Sequence, residues 1–145
     1  MRHASLSAHL PCPIARSLEI VGEWWTLLIV RDALLGARRF DDFKATGIAD
    51  NILTARLKKL VAAGILQRRP YQRHPVRYEY LLTEKGHALA PVVIALRAWG
   101  KRWTKGADLS LITHANCGDD IGMGFHCETC ERDVPPSEVR AARIA

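Results

Sequence analysis

The sequence has 145 residues, of which 48% are hydrophobic, and a formal net charge of +6. This size suits one ordinary domain, or a small domain with an appendage, and the apolar content excludes a largely disordered chain. No run of about eighteen apolar residues occurs, and the first residues lack the apolar centre of a secretion signal. A cytoplasmic location without a membrane partner is therefore predicted.

The charge is distributed unevenly along the chain. Residues 1–105 hold 18 Lys and Arg against 8 Asp and Glu, whereas residues 106–145 hold 3 against 7. Within residues 38–77, ten basic side chains accompany three acidic ones. Such a cluster is typical of a nucleic-acid-binding surface, and a solvated basic face is the alternative interpretation.

Two predicted helices precede the basic segment. Ile14, Leu18 and Val21 lie on one face of a short amphipathic helix at residues 13–22. Residues 23–35 are apolar nearly all round, which predicts the central helix of the core. Its most buried face is expected to consist of Trp25, Leu28, Ile29 and Leu35.

A shorter and a longer helix are predicted next. Residues 39–44 carry Phe40 and Phe43 three positions apart, which indicates a short helix, and Gly47 favours a turn after it. Residues 50–63 predict a longer helix that lies on the core. Its apolar stripe consists of Leu53, Leu57, Leu60 and Val61.

The longer helix has recognisable ends and a polar outer side. Asp50 is expected to cap its amino end by accepting a hydrogen bond from an unpaired backbone N–H. Gly64 supplies the flexible backbone that ends helices. The residues expected opposite the apolar stripe are Asn51, Thr54, Ala55, Lys58 and Lys59.

Two strands are predicted after this helix. Residues 65–69 are typical of a strand, and residues 76–82 alternate between the two faces of a sheet. Residues 70–75 are expected to form the loop between them, because prolines fit an outer hairpin with an unpaired edge. Helix, turn, helix and basic hairpin together predict a winged helix-turn-helix, a mainly α fold with a small β-hairpin wing (α+β).

The last predicted helix is long and spans about residues 84–103, with Thr83 as its cap. Pro91 either kinks this helix or marks the start of a second segment. Its apolar face exceeds what a small winged domain covers, so the long C-terminal helix is predicted to serve dimerisation. The residues of this helix expected at the dimer interface are Leu89, Val92, Val93, Leu96, Trp99 and Trp103, and ordinary core packing is the alternative for part of this face.

The helix at residues 50–63 is the candidate recognition helix, since only the major groove admits a helix and distinguishes every base pair. Asn51, Thr54 and Ala55 are expected to reach base edges. Asn51 would select adenine, and helix capping or solvent exposure is its alternative role. The basic residues Arg56 and Lys58 would lie close to base or phosphate. Phosphate contacts are expected from Lys44, Lys59, Arg68, Arg69, Arg73 and Arg77.

The residues that carry a family resemblance are Cys12-Pro13, Gly22–Ile29, Arg39-Phe40 with Phe43, Leu53–Leu57 with Leu60 and Gly64, and Tyr78–Tyr80 followed by Leu82-Thr83 and Gly86. In this order and spacing the chain resembles the HxlR-type transcriptional regulators, a winged-helix family. The resemblance implies a homodimer that binds a two-fold related operator in double-stranded DNA. The first and last helices would form much of its interface, which adds Leu18 to the expected dimer residues. The resemblance also implies a small-molecule or oxidant effector and makes Cys12 a redox candidate, with a buried unreactive cysteine as the commoner alternative.

The chain is predicted to have three parts: an N-terminal arm at residues 1–11, a winged domain at 12–105 and an acidic extension at 106–145. An enzyme is not expected, because the sequence shows no nucleophile elbow, phosphate loop or paired carboxylates. The alternative function is a winged-helix protein-interaction module with a zinc-dependent docking element in the extension.

The extension contains two ligand pairs, His114 with Cys117 and Cys127 with Cys130, each separated by two residues. Thiolate and imidazole pairs suit tetrahedral zinc, so a structural zinc is predicted, with His126 as a rival ligand. An oxidisable Cys127/Cys130 pair and free cysteines are the alternatives. The DNA-binding core itself is expected to require no cofactor.

Overall fold

The computed structural model describes residues 12–107 and 112–140. By its contacts the chain divides into two compact units, residues 1–93 and 94–145. This division falls inside the last helix, and the boundary predicted near residue 105 stays a prediction. Across the two described ranges, every helix is too short or too polar to cross a membrane.

The predicted fold class is confirmed, since the protein is mainly helical with a small antiparallel hairpin. Short 3₁₀ turns occupy Lys44–Thr46 and Pro136–Glu138. The other elements are α1 (Pro13–Val21), α2 (Trp24–Leu34), α3 (Phe40–Phe43), α4 (Asp50–Ala62), β1 (Leu66–Arg73), β2 (Val76–Leu82), α5 (Glu84–His87), α6 (Ala90–Trp103), β3 (Phe125–Cys127) and β4 (Arg132–Val134).

The core of the first unit lies against α4. Leu53, Leu57 and Leu60 are each at most 1% exposed, which confirms the predicted apolar stripe. Burial of three leucines at this spacing stabilises the helix far more than its intrinsic propensity does. The other buried members of this core are Val21, Ile29, Val30, Phe43, Ile48, Ile65, Leu66 and Val93.

The inward face of α2 differs from the predicted one. Ile29 is buried as expected, but Thr26 and Val30 are fully buried beside it, whereas Leu35 is 55% exposed. Because this helix is apolar nearly all round, hydrophobic periodicity could not select the inward face. Of the predicted apolar face of α1, only Val21 is buried, whereas Ile14 and Leu18 are 70% and 53% exposed.

The amino end of α4 corrects one prediction. Ala49 is the N-cap residue, with extended backbone angles, and α4 has no side-chain cap at this end. Asp50, predicted as the cap, is the first residue inside the helix. Its carboxylate instead lies 3.0 Å from the Nζ of Lys44. At this position the negative charge still suits the positive end of the helix dipole.

The carboxyl end of α4 confirms the predicted stop at Gly64. This glycine has a left-handed φ of +71°, a region that side chains disfavour. The N–H of Gly64 donates to the carbonyl of Val61, and the N–H of Ile65 donates to that of Leu60, both at 3.0 Å. These two bonds satisfy carbonyls that the helix end would otherwise leave unpaired.

β1 and β2 form an antiparallel hairpin, the wing, which is longer than predicted. β1 continues through Pro70 to Arg73, so the loop expected at residues 70–75 is wrong apart from the tip. A bulge between Pro70 and Gln72 accommodates the proline, which has no N–H for the ladder. The sequence predicted that β1 ends before Pro70, whereas the structure has only a bulge there.

The outer edge of β2 pairs with the residues that precede α3. Arg39 and Glu79 form an antiparallel bridge. The N–H of Tyr80 donates to the carbonyl of Arg38 at 2.7 Å. These contacts fasten the wing to the first helix of the helix-turn-helix.

The predicted long last helix consists of two segments. Thr83 caps α5 as expected, since its hydroxyl accepts a hydrogen bond from the N–H of Gly86 at 3.1 Å. α5 ends at His87 and α6 begins at Ala90. Pro91 is the second residue of α6, where a missing N–H leaves no helical bond unmade. Pro91 therefore marks the start of a second segment, the second of the two predicted alternatives.

The second unit contains most of α6 together with the extension. Thr113 and Asp120 are bridged in one short antiparallel pair, and β3 and β4 form another. The carboxylate of Asp120 lies 3.1 Å from Nη1 of Arg97 and 3.5 Å from Nζ of Lys101. These ion pairs attach the extension to α6.

Candidate nucleic-acid interface

The exposed face of α4 carries the predicted base-reading residues. Asn51, Thr54, Ala55 and Lys58 are all exposed, opposite the leucines that anchor the helix. The hydroxyl of Thr54 donates to the carbonyl of Asp50 at 2.7 Å. Thr54 therefore presents its methyl group and an acceptor oxygen, whereas Asn51 keeps both amide functions for a ligand.

Two other predicted contact residues of α4 face neighbouring elements of the same unit. Arg56 forms an ion pair with Glu23, and its side chain is only 24% exposed. The Nζ of Lys59 donates to the backbone carbonyl of Glu19 at 3.1 Å. Both side chains lie at the margin of the leucine stripe, where a long side chain reaches across to α1 and the start of α2.

The wing carries four of the predicted phosphate-binding arginines in two settings. The Arg68 guanidinium lies 4.6 Å from the centre of the Tyr78 ring, and Nη2 of Arg69 lies 2.6 Å from Oε1 of Glu79. Arg73 and Arg77 are exposed at the far end of the hairpin. Among the described residues, neither of these two has an ion pair with a carboxylate.

Arg39 is a basic residue of this surface that was not predicted to bind DNA. Its guanidinium lies 4.5 Å from the centre of the Tyr71 ring. The side chain is exposed between the helix-turn-helix and the wing. The sequence placed Arg39 in the basic cluster, but it could not show that this side chain lies beside the wing, because that depends on the pairing of Arg39 with Glu79, forty residues along the chain.

Asp42 holds the start of α3 in place. Its Oδ2 accepts hydrogen bonds from the N–H groups of Arg39 at 2.8 Å and Arg38 at 3.0 Å. These two bonds lower the pKa of the Asp42 carboxyl from its ordinary value of 3.8. The carboxylate thus satisfies backbone donors that the helix start leaves unpaired.

A polar helix face on a leucine-anchored helix, flanked by a basic wing, is a geometry for binding double-stranded DNA. The sequence model of the HxlR-like helix-turn-helix family matches residues 20–108 of this chain. The chain belongs to this family. The HxlR-like chain is thus a transcriptional regulator of the helix-turn-helix class, in agreement with the resemblance in its sequence.

Individual relatives agree with this assignment. The uncharacterized HTH-type transcriptional regulator Rv3095 of Mycobacterium tuberculosis is 37% identical over 130 residues, which cover 87% of this chain and 82% of Rv3095. The solved structure of PA1607, a candidate transcription factor, has a TM-score of 0.78 at 34% identity and covers 94% of this chain and 97% of its own. The oxidized form of the redox regulator HypR has a TM-score of 0.60 at 32% identity, over 66% of this chain and 100% of its own.

The HxlR-like chain leaves most of its predicted dimer residues uncovered. Leu96, Trp99 and Trp103 are more than half exposed, at spacings that place them on one face of α6. In the first unit, Leu18 and Val92 are also exposed. Two further candidates belong to the core instead, namely Leu89, which is partly buried, and Val93, which is buried.

The cysteines of the HxlR-like chain are all free thiols in the described residues. Cys12 is half-buried and immediately precedes α1. In the extension, Nδ1 of His114 lies 3.2 Å from Sγ of Cys117. A hydrogen bond from the N–H of Cys130 lowers the pKa of the Cys127 thiol from its ordinary value of 9.0. Among the described residues, no three His, Cys, Asp or Glu side chains are placed to hold one metal ion.

Proposed function

We propose that this HxlR-like regulator binds a two-fold related operator in double-stranded DNA as a homodimer. The observation that carries the proposal is the exposed polar face of α4, which is backed by three buried leucines and flanked by the arginines of the wing. A rigidly anchored helix can place the same side chains on the same base edges in every complex.

In this proposal α4 enters the major groove. Asn51 lies in its first turn, and an asparagine amide can make paired hydrogen bonds to adenine. Lys58 is exposed one turn after Thr54, within reach of a base or a phosphate. Loss of a good bidentate contact costs about 1–3 kcal/mol of discrimination between bases.

The wing supplies contacts to the phosphate backbone. Arg73 and Arg77 lie exposed at its tip, and Arg68 and Arg39 are braced against tyrosine rings. A guanidinium held over a ring loses less side-chain freedom when it binds a phosphate. Of the eleven predicted DNA contacts, Arg56 and Lys59 are better suited to positioning α4, because each is half-buried and already has an acceptor outside α4.

The homodimer is supported by the apolar surface of α6. Leu96, Trp99 and Trp103 are exposed there, and a tryptophan pair of this kind on a soluble protein is typical of an interface. A two-fold dimer would place two recognition helices on successive turns of one DNA face, about 34–36 Å apart.

The proposal is tested by selecting bound fragments from genomic DNA and measuring affinity for the selected site by fluorescence anisotropy. Asn51→Ala should weaken binding to the selected site about tenfold or more and relax the preference at one position of each half-site. Arg73→Ala should weaken selected and random DNA alike and reduce the salt slope by about 1. Arg140→Ala, in the extension, is the charge-matched control.

Two outcomes would overturn the proposal. One is a selected pool without a two-fold related sequence. The other is an Arg140→Ala variant that loses as much affinity and salt dependence as Arg73→Ala. In that case the net charge of the protein, rather than the wing, would account for the binding.

An oxidant is the effector that the structure supports best. Cys12 is half-buried and immediately precedes α1, and HypR is a redox regulator with a comparable fold. We infer that oxidation of the Cys12 thiol by a peroxide changes operator affinity. Peroxide should change the affinity of the wild type and leave that of Cys12→Ser unchanged; an equal response of both proteins would contradict this role.

A further inference from the structure

The extension presents two hairpin turns, each with a pair of potential metal ligands. In the first turn the N–H of Gly118 donates to the carbonyl of His114 at 2.8 Å, and the His114 ring lies beside the Cys117 thiol. In the second turn the last paired residue of β3 is Cys127, and Cys130 follows within the turn to β4. Each turn thus contains its two donors within one short loop.

The two turns share an uncommon backbone feature. The residue directly after the second ligand is left-handed in both cases, with φ of +77° at Gly118 and +50° at Glu131. Glu131 is the one non-glycine residue with positive φ in the described part of the chain. This conformation is unfavourable for a glutamate, so the turn keeps the shape against the preference of its own residue.

His126, the rival ligand, is directed elsewhere, because its Nδ1 lies 3.0 Å from Oδ1 of Asp133 on the neighbouring strand.

Within its described residues, 112–140, the extension shows no hydrophobic core that could hold these hairpins. None of its described residues, 112–140, is buried, and Met123, Phe125 and Val139 are all exposed. Pieces of this size usually require a disulfide or a structural metal to fold stably. The cysteines are free in this structure, so a metal fits this need.

We propose that His114, Cys117, Cys127 and Cys130 bind one structural Zn²⁺ with tetrahedral coordination. In the structure the two pairs do not yet form a group that could hold one ion, so binding closes the two turns onto the metal. The three thiols lose their protons to solvent, and the neutral imidazole binds through a ring nitrogen. The ion thereby supplies the cross-link that the extension lacks.

The test uses the full-length protein, purified without added zinc and analysed for metal by mass spectrometry. About one zinc per chain is expected. Cys117→Ser and Cys130→Ser should each lose it, because each removes a ligand from a different turn. Cys12→Ser and His126→Ala are the matched controls and should retain it.

Cobalt in place of zinc gives a second readout. The thiolate-to-cobalt absorption should correspond to three sulfur ligands in the wild type and fall in Cys117→Ser and Cys130→Ser alike. Chelation of the metal should increase hydrogen exchange of the extension amides and leave the α4 amides protected. This readout does not depend on DNA binding, so it can fail or succeed independently of the proposed function.

Three results would overturn the proposal. One is metal retained in full by both Cys117→Ser and Cys130→Ser. Another is a metal-free wild type whose four thiols all react with a thiol reagent. The third is a Cys127–Cys130 disulfide in protein kept under reducing purification, which would make the pair an oxidisable dithiol instead.

Discussion

At the scale of single residues, the charges of the helix-turn-helix serve two purposes. Arg56 and Lys59 are cations that hold α4 against α1 and α2, whereas Asn51 and Lys58 remain exposed for a ligand. An ion pair that is partly shielded from water leaves one charge without compensation when the other is removed, so such residues affect stability more than fully exposed ones do. Composition alone counts all of these basic side chains as one DNA-binding cluster.

Arg56→Ala is expected to lower the free energy of unfolding by about 1 kcal/mol, because the pair with Glu23 is only partly exposed. Operator binding should weaken, but its salt dependence should stay the same. Glu23→Ala, measured in the same urea titrations, should produce a loss of similar size. If Arg56→Ala instead reduced the salt slope by about 1, Arg56 would contact a phosphate directly.

Asp42 gives a prediction for the pH dependence of stability. Its folded-state pKa is lowered by the N–H groups of Arg39 and Arg38. The carboxylate therefore contributes stability that is present above the ordinary pKa of 3.8 and lost as pH falls through the lower folded pKa. Asp42→Asn should be less stable than the wild type at neutral pH, and the difference should shrink in acid.

This difference is measured by urea unfolding at a series of pH values. Asp41→Asn, one position earlier, is the charge-matched control, since it removes the same charge and leaves the Asp42 carboxylate as the acceptor of the two backbone hydrogen bonds. The same pH-dependent loss in both variants would attribute the effect to net charge rather than to the start of α3.

At the scale of elements, a helix and a strand can pack together only where their backbones approach each other closely. α5 is a single turn whose Gly86 lies against the backbone of Ile65, the residue before β1. A Cβ on Gly86 would overlap the carbonyl oxygen of Ile65 and lie 2.8 Å from Cδ2 of Leu82. This contact explains why a glycine occupies a helical position, where it is otherwise unfavourable.

Gly86→Ala is expected to destabilise the winged domain by about 1–3 kcal/mol, because the backbone of Ile65 must shift. Gly100→Ala in α6 is the matched control. There the nearest atom to an added Cβ is Oγ1 of Thr104 at 3.9 Å, so a gain of about 0.5–1 kcal/mol is expected from the better helix former. Chemical denaturation followed by tryptophan fluorescence measures both; equal effects would rule out the steric explanation.

At the scale of the whole molecule, the exposed apolar surface of α6 favours the association of two copies of the chain. Trp99 and Trp103 are 62% and 65% exposed, values that large aromatic side chains rarely reach without a partner surface. The proposed homodimer would cover them, and the proposed zinc would stabilise the extension separately. The dimer would be stabilised by burial of apolar surface, and the extension by coordination of the metal through thiolates.

Trp99→Ala is expected to weaken the dimer by about 2 kcal/mol, roughly 30-fold, as truncation of a central interface aromatic does. Analytical ultracentrifugation over a concentration series measures the shift from dimer to monomer. Val76→Ala, at the exposed tip of the wing, is the control and should leave the dimer intact. A wild type that stays monomeric at high concentration would contradict the homodimer.

The sequence by itself determined much of the winged domain. The spacing of Leu53, Leu57 and Leu60 defined the buried stripe of α4, and Gly64 defined its end, because both are local consequences of helix geometry. The alternation of residues in β2 predicted the second strand of the wing. Thr83 predicted the start of the helix that follows it. The ordered motifs pointed to the HxlR-like family, which the comparisons confirmed.

Only the tertiary structure decided which charges face outward and where distant segments meet. Helical periodicity places Arg56 at the edge of the leucine stripe. Its side chain turns toward α2 because Glu23, at the start of that helix, is its ion-pair partner. The pairing of Arg39 with Glu79 and the continuation of β1 past Pro70 likewise depend on neighbouring strands. Local patterns record the preference of a segment for its own conformation, whereas these features arise from contacts between segments that are far apart in the chain.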